Sequence, residues 1–322
     1  MKPRERIQAA LAGEQPDRTP LFEIWIDACL DELGGGDPQA AYRHQDCVML
    51  PSQTPPGSNA WRDGVDEFGR VWHAGMYVTG QLDSPAALER FTPSASYLDG
   101  CFDADQVAAT RARFPDHCLI YGTHIGPFTA AYMAMGFERL FMELIDNPAF
   151  IHQVLENRTA WCIAQYQRAQ SLGAELLVLG DDVAARGGPM IAPRMCREFI
   201  LPYHRRIVEA LDVPVIWHSD GDIRTLLPMA IEAGFVGVHG LEPAAGIDLG
   251  VVLREFGQDL VLIGNVDVAA LLGDDVEAVR CEVERCMAQG AAGRYMFASC
   301  NSIFEGMNPQ MVTAMVDFAH GT

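Results

Sequence analysis

Lysine is almost absent, Lys2 being the single one in 322 residues. Schiff-base chemistry, a pyridoxal-phosphate lysine and a P-loop lysine each require an amine mounted inside the fold or on a phosphate-binding loop, so those enzyme classes are excluded. Positive charge is scarce altogether, with 23 Lys and Arg against 43 Asp and Glu and a formal net charge of −20. Without a basic stripe to displace condensed counterions, a nucleic-acid partner is not expected. No run approaches the ~18 apolar residues that span a bilayer, and the N-terminal MKPRERIQAALAGEQPDR interleaves charges with its apolar positions. A cytoplasmic location and no membrane partner are therefore expected. Cysteine pairing signals are also missing: nine cysteines, an odd number, contain no CxxC and read as reduced thiols.

What is present is globular composition, 49% hydrophobic and 20% charged, with ample material for a core. Short apolar runs recur at 19–24, 46–50, 118–126, 174–183, 213–221, 234–242, 259–267 and 294–302, separated by segments with helical spacing such as 136–170 and 193–211. Near-continuous apolar strands alternating with helices imply a parallel sheet covered by helices. Eight of them predict an α/β chain folded as a (β/α)8 TIM barrel, a single domain over 1–322. Residues 51–100 break the rhythm with turn residues and a hairpin-like DEFGRVWHAG, and are expected to form an insertion between the second and third barrel strands.

In such a barrel the last residues of the strands converge on one face, where active sites are built. Those positions carry Glu23, Cys47, His124, Asp181, Asp182, His218, Asp220, Glu242, Asn265, Asp267, Cys300 and Asn301. His218 and Asp220, one residue apart in extended backbone, point to the same side and suit a shared ligand or proton. A loop histidine bonded to its neighbour is the other reading of an isolated HxD. Gly221 beside them permits an unusual turn. Cys300 across the barrel would complete a set of imidazole, carboxylate and thiolate that suits zinc, although a lone cysteine more often packs as a small apolar residue. In LGDDV, adjacent aspartates face opposite sides. One of Asp181 and Asp182 should enter the cavity as a proton carrier while the other caps a loop. Glu23, His124, Arg186, Arg224, Glu242 and Asn301 are the candidate substrate contacts around this mouth.

Several segments, in order, resemble the uroporphyrinogen decarboxylase superfamily, which includes methylcobamide:coenzyme M methyltransferases and corrinoid-dependent demethylases: PRERIQAALAGEQPDRTPL, DEFGRVW, GPFTAAYMAMGFERLFMELIDNP, GDDVAARGGPMIAPRMCREFILPYHRRI, HSDGDIRTLLPMAIEAGFVGVHGLEPAAGIDL, LVLIGNVDVAALL and ASCNSIFEGMNPQMVTAM. The resemblance implies a β/α barrel. Tetrapyrrole decarboxylases of this group carry an arginine-rich motif after the first strand, where this chain reads LFEIWIDACLDELGGGD, with acidic residues and no arginine. The methyltransferase branch resembles the chain better. Its thiol-methylating members hold zinc through His-x-Cys and a distant Cys, which implies His218 and Cys300 as ligands, with Asp220 in place of the middle cysteine. The resemblance thus implies a zinc-assisted methyltransferase that moves a methyl group between a small molecule (ether, amine or thiol) and a corrinoid carried by a separate partner protein. A decarboxylase of a carboxylated substrate and a non-catalytic small-molecule-binding barrel are the alternatives.

Overall fold

The computed structural model describes residues 1–26, 39–123, 125–291 and 293–321. Among the described residues, twelve strands run in chain order as β1 (Cys47–Met49), β2 (Gly64–Val65), β3 (Arg70–His73), β4 (Met76–Gly80), β5 (Cys118–Thr123), β6 (Leu176–Gly180), β7 (Ala184–Ala185), β8 (Gly188–Pro189), β9 (Val215–Ser219), β10 (Gly237–Gly240), β11 (Val261–Val266) and β12 (Tyr295–Ser299). Seven of them form one parallel sheet in the order β1-β5-β6-β9-β10-β11-β12. Leu21 and Ile26 bridge in parallel to Phe297 and Ile303, and the Leu21 carbonyl accepts from the Asp46 amide at 2.9 Å. The extended 21–26 segment thus bonds β12 on one side and the residue entering β1 on the other. The architecture is a TIM-barrel-like α/β fold.

Strand alternation divides the core in two. Ile120, Val178, Ile216, Ile263 and Met296 belong to one cluster with Phe22 and Ile24, on the concave side of the curled sheet, whereas Tyr121, Leu177, Leu179, Trp217, Leu262 and Phe297 belong to a larger cluster shared with the helices. Both clusters are close to fully buried, so truncating Ile216 to Ala would cost about 2–5 kcal/mol.

Two long helical patterns in the sequence are each divided. The 136–170 pattern becomes Phe137–Asp146 and Pro148–Ser171, because Pro148 lacks the amide that would continue the first helix. The 193–211 pattern becomes Pro193–Phe199 and Leu201–Glu209, again with a proline, Pro202, at the break. Cys47 opens β1 instead of ending it, and so does not join the strand-end residues. Between β1 and β5 the chain forms the antiparallel sheet β2-β3-β4. Asp66 organises it, accepting from the Arg70 and Trp72 side chains and from the Phe68 and Arg70 amides.

Candidate functional site

Strand alternation and register bring three potential donors together. In β9, Ile216 faces the concave core, and so does His218 two residues later. Val178, Gly180 and Asp182 follow the same parity on β6, whose Gly180 pairs with His218. Asp182, His218 and Asp220 each place one ligand-type atom within 4.8 Å of the others. The Asp220 amide donates to Asp182 Oδ1 at 2.9 Å, and His218 Nε2 lies 3.6 Å from Asp220 Oδ1. Asn301, from the segment after β12, donates to Asp220 Oδ1 at 2.9 Å. The edge of Trp25 meets the His218 ring at 5.2 Å.

Burial and mutual repulsion set the electrostatics. Desolvation, reinforced by the Asp182 carboxylate, pushes the Asp220 carboxyl up to about 6 against the pull of the Asn301 hydrogen bond. Burial lowers the basicity of His218, opposed by the negative charges of Asp182 and Glu242. Glu242 is half-buried, raised first by burial and then by Asp220, and accepts from the Gly221 amide at 3.1 Å. Gly221 makes this loop possible: its φ is +81°, and a Cβ there would stand 2.6 Å from the Ala185 carbonyl.

The two adjacent aspartates part company. Asp182 joins His218, whereas Asp181 is fully buried on the other face of the sheet. Its carboxylate accepts from the Phe128 and Thr129 amides at 3.2 and 2.7 Å and lies 2.7 Å from His204 Nε2. Asp181 therefore caps the N-terminus of the helix Pro127–Met135, a favourable place for negative charge. Gly126 permits that approach, since a Cβ there would lie 2.5 Å from the Asp181 Cβ. Asp181 is thus withdrawn from the role of proton carrier.

The other sequence candidates are dispersed. Cys300, expected as a metal ligand, is not a member of the three-residue group; it is buried, and desolvation pushes its thiol well above the usual range. Asp182 is the third member of that group. Glu23, expected at the mouth, is instead stapled to β12, accepting from the Ser299 amide at 2.6 Å and the Ser299 hydroxyl at 2.9 Å. Arg186 is exposed and donates to the Ala244 carbonyl, while Arg224 is paired through two nitrogens with Asp222. Asn265 donates to the Leu241 carbonyl and Asp267 caps the helix Val268–Leu272. His124 lies outside the described residues.

One residue that strand-end reading passes over is His239. It pairs in register with His218, and their Nδ1 atoms lie 2.7 Å apart. Its signal is parity: in GVHG, Val238 packs outward, so His239 faces inward beside its neighbour.

A parallel sheet with a polar cluster at the carboxyl ends of its strands is the architecture of a TIM-barrel-like enzyme. Residues 71–322 match the family Uroporphyrinogen decarboxylase (URO-D), and the chain belongs to that family. It is 25% identical over 244 residues to methylated-thiol--coenzyme M methyltransferase of Methanosarcina mazei, a match covering 76% of this chain and 57% of that enzyme. The match thus spans little more than half of that relative's length. It is 28% identical over 333 residues to uroporphyrinogen decarboxylase of Neisseria meningitidis, covering 99% of this chain and 88% of that enzyme. A solved methyltransferase from Methanosarcina mazei superposes with a TM-score of 0.81 at 19% identity, covering 100% of this chain and 99% of that one, which establishes the shared fold.

Proposed function

We propose that the protein is a metal-assisted methyltransferase that moves a methyl group between a small ether, amine or thiol and a corrinoid carried on a separate protein. The observation that carries the reading is the convergence of Asp182, His218 and Asp220 at the strand ends. One imidazole and two carboxylates within 4.8 Å form a nitrogen-and-oxygen donor set that fits a divalent ion, zinc included. A bound ion would supply Lewis acidity toward the heteroatom that carries the methyl group. Oxygen ligands favour that role, because they leave an ion more electrophilic than thiolates would.

The chain's own groups have separable parts in this reading. Asn301 orients Asp220 by donating to its Oδ1, and the Asp220 amide holds Asp182 in turn. Glu242, raised by burial beside the cluster, exchanges a proton at its carboxylate with the departing or attacking heteroatom. We read the 21–26 segment as the eighth barrel strand and the β2-β3-β4 sheet as an insertion flanking the mouth.

The decarboxylase reading requires cations to receive substrate carboxylates. Arg224, one of the two arginines among the candidate substrate contacts, is already neutralised by Asp222. The deciding experiment follows the corrinoid spectrum as purified protein is mixed with reduced cobalamin and methoxy, methylamine or methylthiol compounds. Methyl-cobalt formation that His218→Ala abolishes supports the reading. Turnover of an acidic porphyrinogen with no methyl transfer overturns it.

A further inference from the structure

The Ser299 hydroxyl stands between two acceptors. Its Oγ lies 2.9 Å from Glu23 Oε2 and 2.5 Å from the Asn301 carbonyl oxygen, while the Ser299 amide reaches Glu23 Oε1 at 2.6 Å. A hydroxyl carries one proton, so it donates at full strength to one of the two. With Glu23 ionised, either the carboxylate or the Asn301 carbonyl faces the Oγ lone pairs with no proton between them. A proton on Glu23 Oε2 removes that conflict. Glu23 then donates to Ser299 Oγ, Ser299 donates to the Asn301 carbonyl, and each contact holds one proton.

The surroundings favour the protonated acid. Phe22 and Ile24 pack in the concave cluster, which turns Glu23 to the helix side of the sheet, and the outward packing of Tyr295 and Phe297 places Ser299 there by the same parity. Glu23 is 2% exposed, and desolvation raises its carboxyl to about 7 against the pull of Ser299. Among the described residues only Ser299 hydrogen-bonds the carboxyl, and no cation pairs with it. The titratable groups facing it are Tyr42, Cys47 and Tyr295, each kept neutral by burial. His44 and Asp317 line the adjoining cavity of about 290 Å³, and burial lowers the basicity of His44.

Beyond Ser299 the contacts continue to the barrel mouth. Asn301 Oδ1 accepts from the Ser302 amide at 2.6 Å, and its Nδ2 donates to Asp220 Oδ1 at 2.9 Å. We propose that Glu23 is a positioning residue for the Asp182, His218 and Asp220 site: its proton turns the Ser299 hydroxyl onto the Asn301 carbonyl, and that contact keeps the Asn301 carboxamide on Asp220. This role rests on the reading of those three residues as a metal site, and it gives that site a control by pH. Once ionised, Glu23 takes the Ser299 proton for itself and releases the Asn301 carbonyl, so the site loosens as pH rises through about 7.

Glu23→Gln tests the role, because a carboxamide donates to Ser299 Oγ and accepts from the Ser299 amide as the neutral acid does, yet never ionises. Zinc affinity, measured against a chromophoric chelator, should be equal in wild type and Glu23→Gln at about pH 5.5 and about tenfold weaker in wild type at about pH 8.5. Titration of the ligands themselves is common to both proteins and cancels in the ratio. Ser299→Ala and Glu23→Leu should each weaken zinc about tenfold at every pH, and in the Ser299→Ala background Glu23→Gln should change nothing further. The metal-free chain supplies a second readout: the nitrogen-15 resonance of the Asn301 carboxamide should shift near pH 7 in wild type and not in Glu23→Gln. An affinity ratio that stays flat with pH, or an Asn301 signal that titrates alike in both proteins, would overturn the proposal. A wild type that binds no zinc while its Asn301 signal keeps the Glu23-dependent shift would contradict the metal reading and support the hydrogen-bond chain to Asp220.

Discussion

The Nδ1 atoms of His218 and His239 lie 2.7 Å apart, on register partners of neighbouring parallel strands. Two imidazole nitrogens at that distance share one proton, donor on one ring and lone pair on the other. If His218 offers Nε2 to a metal, its Nδ1 must carry the proton and donate to His239. Burial favours a neutral His239 that accepts it, holding that residue well below the ordinary histidine range. With a metal bound there, His239 would be a positioning residue that fixes the tautomer and the ring angle of His218.

His239→Leu should accordingly weaken zinc binding by about 10–100-fold, the usual effect of removing a ligand's orienting partner. Competition against a chromophoric chelator measures this, with the far-ultraviolet circular dichroism unchanged. Unaltered affinity would mean that the histidine pair serves packing alone.

The adjacent aspartates should separate in mutagenesis. Asp181→Asn removes a charge-assisted cap and its His204 partnership, and should lower stability by about 2–4 kcal/mol in urea denaturation while metal binding persists. Asp182→Asn should do the reverse, losing metal while leaving the denaturation midpoint within about 1 kcal/mol of wild type. Neighbours in sequence would thus fail in different assays because they face opposite sides of the sheet.

Glu23 gives the pH prediction. Burial, partly offset by the Ser299 hydrogen bonds, raises its carboxyl from 4.5 to about 7. A group with a raised folded pKa contributes its stability in full below its unfolded pKa and loses it as pH rises through the folded one. Relative to Glu23→Gln, the wild type should therefore be most favoured near pH 4.5 and lose on the order of 3 kcal/mol of that advantage by pH 8. Parallel denaturation curves for the two proteins at several pH values measure the difference, and a pH-independent gap would contradict the assignment.

Much of this molecule was legible in the sequence. The parallel sheet follows from apolar runs such as AELLVLGDDV and DLVLIGNVD, and the opposed facing of Asp181 and Asp182 follows from parity alone. The hairpin in DEFGRVWHAG was also readable from its turn residues. What escaped was long-range. Nothing local to SCNS reveals that Cys300 stands outside the ligand-type group while Asn301 reaches Asp220. Glu23 reads as a mouth residue from its place in LFEIW, but Phe22 and Ile24 on either side pack in the concave cluster, which turns Glu23 to the opposite side, where it meets Ser299. His239 was missed because register between β9 and β10 is a property of the assembled sheet. The breaks at Pro148 and Pro202 were available to a stricter reading of proline.

The most direct test is the metal content of protein purified without added metal, as wild type and as Asp182→Ala, His218→Ala and Cys300→Ala. The account predicts near-stoichiometric zinc in the wild type and in Cys300→Ala, and its loss in the other two. A wild type free of metal, or a site emptied by Cys300→Ala and not by Asp182→Ala, would contradict it.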